Sequence, residues 1–199
     1  MGVDILPLPG VDYVVDLRKE PLPFPDKSVE AIFSSHFLEH LGDPTKIFAE
    51  FSRVAQDGAI MELWTPYAWS NPAFITDHKM FFNEDHYLHI TNWFVEFWEK
   101  IIKCRWLLKE IQYVIDAETL MDLKKNNVSV AFALKYFKGI AKEFCVHIEV
   151  RHGYIGNAEQ PIRTYSLGRE TERFKIDNDI AIAKIFWTKF ASLFKDTKK

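Results

Sequence analysis

The chain has 199 residues, 48% hydrophobic and 27% charged, with a formal net charge of −3 at pH 7, values that suit one ordinary globular domain. The near-balanced charge and the lack of a dense Lys/Arg run give no electrostatic footprint for nucleic acid, so none is expected as a partner. Only Cys104 and Cys145 are present, with no Cys-x-x-Cys pair, and no apolar run reaches the roughly 18 residues of a membrane span; a cytoplasmic protein without a disulfide framework is expected.

In chain order, Val11 to Val15 is a short β-branched run closed by Asp16. The segment Pro21-Leu22-Pro23-Phe24-Pro25-Asp26 cannot be helical and leads into a second short strand, Ala31-Ile32-Phe33. Asp43 is an N-cap with Pro44 at the first helical position, and Ile47, Phe48, Phe51 and Val54 recur at helical spacing until Gly58 ends the helix. Ala59 to Trp64 reads as a strand interrupted by Glu62 and stopped by Thr65-Pro66. Strand, helix, strand is the unit of a parallel sheet with right-handed crossovers.

From Tyr67 to about Tyr87 the chain is rich in Pro, Asn, Asp, His and Phe without a period, the composition of a long excursion or lid. Asn92 is a candidate cap for a helix bearing Trp93, Phe94, Phe97, Trp98, Ile101 and Ile102. Trp106 to Ile115 leans to strand, Val130 to Lys142 to helix, and Cys145 to Arg151 alternates as a strand. Asp179 caps an amphipathic stretch with Ile182, Ile185, Phe186, Phe190, Leu193 and Phe194 on one side, read as a helix packed on the domain, with a dimer contact or a membrane-surface helix as alternatives.

Four features bear on chemistry. Asp4 and Asp16 follow short β-like runs; at the carboxyl ends of strands in an open α/β sheet, carboxylates can hold ribose hydroxyls, the alternative being turn-capping. His36-Phe37-Leu38-Glu39-His40 fits the inverted zincin pattern, in which two histidines one helical turn apart hold zinc. Its place directly after a strand, cut by Gly42 and Pro44, weighs against that reading, and no metal is expected. His78 lies inside the long loop.

Taken together, Gly2-Val3-Asp4-Ile5, Pro9-Gly10-Val11-Asp12, Val15-Asp16-Leu17, Leu22-Pro23-Phe24-Pro25-Asp26, Ser35-His36-Phe37-Leu38-Glu39-His40 and Arg53-Val54 resemble consecutive blocks of the type 11 family of class I S-adenosylmethionine-dependent methyltransferases. The resemblance implies an α/β fold, a Rossmann-like mostly parallel sheet with flanking helices, in one domain over residues 1–199 with a lid or insertion at about 67–145. It implies that Asp4 binds the cofactor ribose, that Asp16 and Leu17 meet the adenine, and that Ser35 and His36 face the methionine part and the reacting centre. His40 would steady the following helix, and His78 resembles a loop histidine near the substrate, a candidate general base.

The family's first strand and Gly-x-Gly loop would precede Gly2, and the eight glycines contain no Gly-x-Gly, so the fold is expected to be N-terminally truncated. The gap would be closed by direct pairing of flanking strands or by exchange in a homodimer. The implied function is methyl transfer from S-adenosylmethionine to a small molecule. The alternatives are a catalytically inactive methyltransferase-like domain with a structural or regulatory role and, remotely, a zinc metallopeptidase acting through His36, Glu39 and His40.

Overall fold

The computed structural model describes residues 1–175. The amphipathic stretch after Asp179 lies outside the described residues. Two sheets are formed. The smaller pairs β1 (Val3–Asp4) with β2 (Tyr13–Val14) in parallel. The larger has the order β3-β4-β6-β5-β7, with β3 at Val29–Ser35, β4 at Ala55–Pro66, β5 at Arg105–Val114, β6 at Glu143–Arg151 and β7 at Ile162–Ser166.

Pairing is parallel for β1·β2, β3·β4 and β5·β7 and antiparallel where β6 inserts between β4 and β5. This is the mostly parallel α/β class expected from the strand–helix–strand pattern. Direct pairing of flanking strands does not occur: β3 pairs with β4, and among the described residues no strand lies along its other edge.

The helix α1 (Thr45–Val54) connects β3 to β4. Its N-cap is Pro44 rather than the expected Asp43, whose Oδ1 accepts the Thr45 N–H at 2.9 Å just before the helix, while Ile47, Phe48, Phe51 and Val54 turn inward as the period requires. The helix ends at Val54, four residues before Gly58, which lies within β4 at φ +82°. There the register slips from Val29↔Ala55 to Ala31↔Ile60, so the glycine serves a bulge rather than a helix terminus. The Arg53 guanidinium donates to the Leu22 and Phe24 carbonyls and to Glu50 and Asp26, tying the proline-rich loop to this helix.

The excursion after β4 is partly ordered into a 3-10 turn (Asn71–Phe74), a short helix α2 (Glu84–Leu88) and a π turn (His89–Trp93). The aromatic helix α3 (Val95–Ile102) begins beyond Asn92, whose amide instead donates to the Glu159 carbonyl. β5 falls within residues 67–145 and is an inner strand of the sheet. Helices α4 (Ala117–Lys125) and α5 (Val130–Tyr136) follow, the latter shorter than its period suggested.

The main core holds Met61, Leu63, Leu108, Ile111, Phe144, Val146 and Ile148 from one sheet face with Phe48, Phe51 and Tyr87 against them. Trp106 donates its indole N–H to Ser52 Oγ at 2.9 Å inside this core. On the other face Trp64, Val114 and Cys145 form a small separate cluster, and Phe33 is 66% exposed. Among the described residues no helix is long and apolar enough to cross a membrane.

Candidate functional site

The strand ends β1, β2 and β3 carry the expected residues, in two groups. In the first, Asp4 sits at the end of β1, its backbone carbonyl accepting the Val15 N–H at 2.8 Å, and Asp16 follows two residues beyond β2. Asp4 Oδ1 accepts the Leu6 N–H at 2.8 Å, the turn-capping contact that short acidic side chains favour. Oδ2 of Asp4 has no partner among the described residues. Both oxygens of Asp16 are taken by Arg18, at 2.7 and 3.0 Å, and that side-chain pairing holds the Asp16 carboxyl far below the usual carboxylate range. Leu17 packs against the main core.

The second group gathers at the end of β3. His36 adopts a left-handed backbone, φ 49°, which few non-glycine residues take, and this turns its ring back between two carboxylates. Nε2 lies 2.8 Å from Glu143 Oε2, and Nδ1 lies 3.0 Å from Glu39 Oε1, close enough for an ion pair but not aligned as a hydrogen bond. The Glu143 hydrogen bond, then the Glu39 carboxylate, push the imidazole pKa up to about 9. At neutral pH His36 is therefore a fixed cation and not a base. For Glu143, burial works against ionisation, but hydrogen bonds from Arg169 and His36 outweigh it and hold the carboxyl down at about 2.

Arg169 completes the group: it forks onto Glu143 at 2.9 and 2.6 Å, donates to Ser35 Oγ at 2.6 Å and lies 4.9 Å above the Trp64 ring. Sequence reasoning missed both Arg169 and Glu143, which stand 134 residues from Ser35 and 107 from His36 respectively. No local pattern marks either; only the sheet order, which carries β6 beside β4, brings them to the end of β3.

His78 stands beside the same turn. The residues Leu38–His40 form one 3-10 turn, so the continuous helix that a zinc-peptidase motif requires is not there. The loop is strapped to the turn by the Lys79 and Met80 N–H groups, which donate to the Glu39 carbonyl at 2.7 and 3.1 Å. The His78 and His40 rings meet edge to face at 4.8 Å. Ser35, His36 and His78 thus come to one end of the sheet, while no hydrogen bond or ion pair among the described residues joins them to Asp4 or Asp16.

Residues 6–63 match the model of the methyltransferase domain family. The family recognised from the sequence blocks is thus the one matched over that segment. No curated protein matches the chain. Among solved structures, the chain resembles an S-adenosylmethionine-dependent methyltransferase from Archaeoglobus fulgidus at 15% identity and TM-score 0.44, covering 63% of this chain and 61% of that one. It also resembles a proposed methyltransferase from Bacillus halodurans, at 16% identity and TM-score 0.46 over 76% of this chain and 81% of the other. A third is an S-adenosylmethionine-dependent methyltransferase from Mesorhizobium loti, at 10% identity and TM-score 0.42 over 68% and 67%. The chain therefore spans about three fifths of the Archaeoglobus structure's length.

Proposed function

We propose that this chain binds S-adenosylmethionine and directs its methyl group to a small-molecule acceptor, in the cytoplasm. The observation that carries the reading is the match of residues 6–63 to a methyltransferase domain, a segment that contains Asp16, Leu17, Ser35 and His36 and begins two residues after Asp4. Asp4 fits its role chemically, since a strand-end carboxylate with one free oxygen can accept from a ribose hydroxyl. Asp16 and Leu17 provide the adenine side once Arg18 shares or releases the carboxylate.

The bound cofactor supplies an electrophilic sulfonium methyl. What the chain contributes is placement: an in-line approach of the acceptor and exclusion of water, which together can supply most of such a rate enhancement. Ser35 and the fixed imidazolium of His36 border the methionine side, and His78, in the loop strapped to the Glu39 carbonyl, meets the acceptor.

A second reading is favoured by a specific observation, that Arg18 and Arg169 already occupy Asp16 and Ser35. In it the domain binds no cofactor and acts as a structural or regulatory partner, with the edge of β3 that no described strand covers pairing in a homodimer. Titration calorimetry with S-adenosylmethionine and S-adenosylhomocysteine separates the two. Saturable heat that disappears in Asp4→Ala supports the first reading, and no heat at millimolar ligand rejects it.

A further inference from the structure

We infer that Glu39, His40 and His78 form a binding site for a zinc-class divalent metal ion, independent of the methyl-transfer reading. Glu39 is 1% exposed, yet among the described residues neither of its carboxylate oxygens accepts a hydrogen bond, and Oε2 lacks even the ion-pair contact that Oε1 has with His36. The His36 imidazolium faces Oε1 alone, which leaves Oε2 of this buried carboxylate for a further cation. One ligand atom from each of Glu39, His40 and His78 lies within 4.8 Å of the other two. Small rotations of the two partly exposed imidazoles would bring all three to the roughly 2.0–2.2 Å ligand distances of zinc.

Both histidines place Nδ1 against an acceptor. His40 Nδ1 is 3.0 Å from Asp77 Oδ2, and His78 Nδ1 is 3.2 Å from the Ala73 carbonyl oxygen. A carbonyl or carboxylate can only accept, so a proton on each Nδ1 would leave the Nε2 lone pair to a metal. A carboxylate or backbone carbonyl on the far nitrogen is the usual support of a metal-bound histidine, fixing both tautomer and ring direction. Two imidazoles and one carboxylate suit zinc and leave a fourth position open to water or another ligand. The strap from Lys79 and Met80 to the Glu39 carbonyl keeps loop and turn in register for this purpose.

The other cluster of metal-binding residue types, Glu62, Cys145 and His147, is a poorer host. Arg173 Nη1 lies 3.4 Å from His147 Nε2, a cation beside the cluster, and burial pushes the Cys145 thiol pKa well up, disfavouring the thiolate a metal needs.

The test uses the full chain expressed without a histidine tag, stripped with chelator and titrated with zinc chloride alone by calorimetry near pH 7. One equivalent bound with a micromolar or tighter Kd is expected. His40→Gln and His78→Gln should each weaken binding at least tenfold, and Asp77→Asn by about tenfold, the usual effect of removing a supporting carboxylate. His40 is 37% exposed, so its substitution does not put the core at risk. His147→Gln should leave the titration unchanged. Failure to bind zinc, binding indifferent to both His40 and His78, or binding lost through His147→Gln overturns the assignment, and no methyl donor enters any of these measurements.

Discussion

Replacing His36 by Asn tests whether the charged imidazole stabilises the end of β3. The ring lies between Glu143 and Glu39, and its pKa is pushed up from the ordinary 6.5 to about 9. A group that holds its proton more tightly when folded stabilises the fold fully below its unfolded pKa and loses that contribution as pH rises through the folded value. The window is therefore pH 6.5 to 9, with stability falling upward. At about 1.4 kcal/mol per pH unit the gap corresponds to roughly 3 kcal/mol. Because the ring is 38% exposed, solvent screening reduces this to about 1–2 kcal/mol.

Asn tolerates the left-handed backbone at this position, so the substitution removes the charge without adding strain. Urea unfolding of wild type and His36→Asn at intervals from pH 6 to 10 should show a wild-type advantage of about 1–2 kcal/mol at pH 6 that closes by pH 10. Groups that do not touch His36 cancel in the difference, and Glu143, which Arg169 also holds down, stays ionised over this range. A gap that stays constant over the whole range would refute the ion-pair argument and leave only packing.

Three further outcomes are expected. Leu108→Ala, at a fully buried position in the main core, should cost about 2–5 kcal/mol in urea unfolding, since the sheet and helices around it cannot collapse into the space. Arg53→Ala removes donors from two loop carbonyls as well as from Glu50 and Asp26; a loss of about 1–3 kcal/mol is expected, with early proteolysis between Pro21 and Asp26 as the local readout. Gly58→Ala forces a side chain into a left-handed bulge, where the added Cβ meets open space; thermal unfolding should show a cost of about 1–2 kcal/mol from backbone strain alone.

Elements whose cause is local were legible in advance. The period of Ile47, Phe48, Phe51 and Val54 defines α1 by itself, because amphipathicity acts within a few residues, although the N-cap fell on Pro44, one residue past the expected Asp43. The alternation of Cys145 to Arg151 and the apolar run from Trp106 likewise became β6 and β5. Asp4 and Asp16 could be singled out because each stands at or just after a short β-like run, whereas Ser35 and His36 were marked by the family resemblance. Where two signals compete the local reading failed. Gly58 can end a helix or bulge a strand, and the pairing of β3 with β4 made it a bulge. Asn92 can cap a helix, but the π turn through Trp93 and the contact to Glu159 carried the start of α3 past it.

What only the tertiary structure decided is the company these residues keep. Insertion of β6 between β4 and β5 brings Glu143 to His36, and the segment after β7 lays Arg169 across Glu143, Ser35 and Trp64. Those contacts make His36 a fixed cation. The loop strap that carries His78 to Glu39 and His40 is equally non-local. A charge state depends on distances of a few ångströms between chain segments more than a hundred residues apart, and no residue pattern along one segment encodes them.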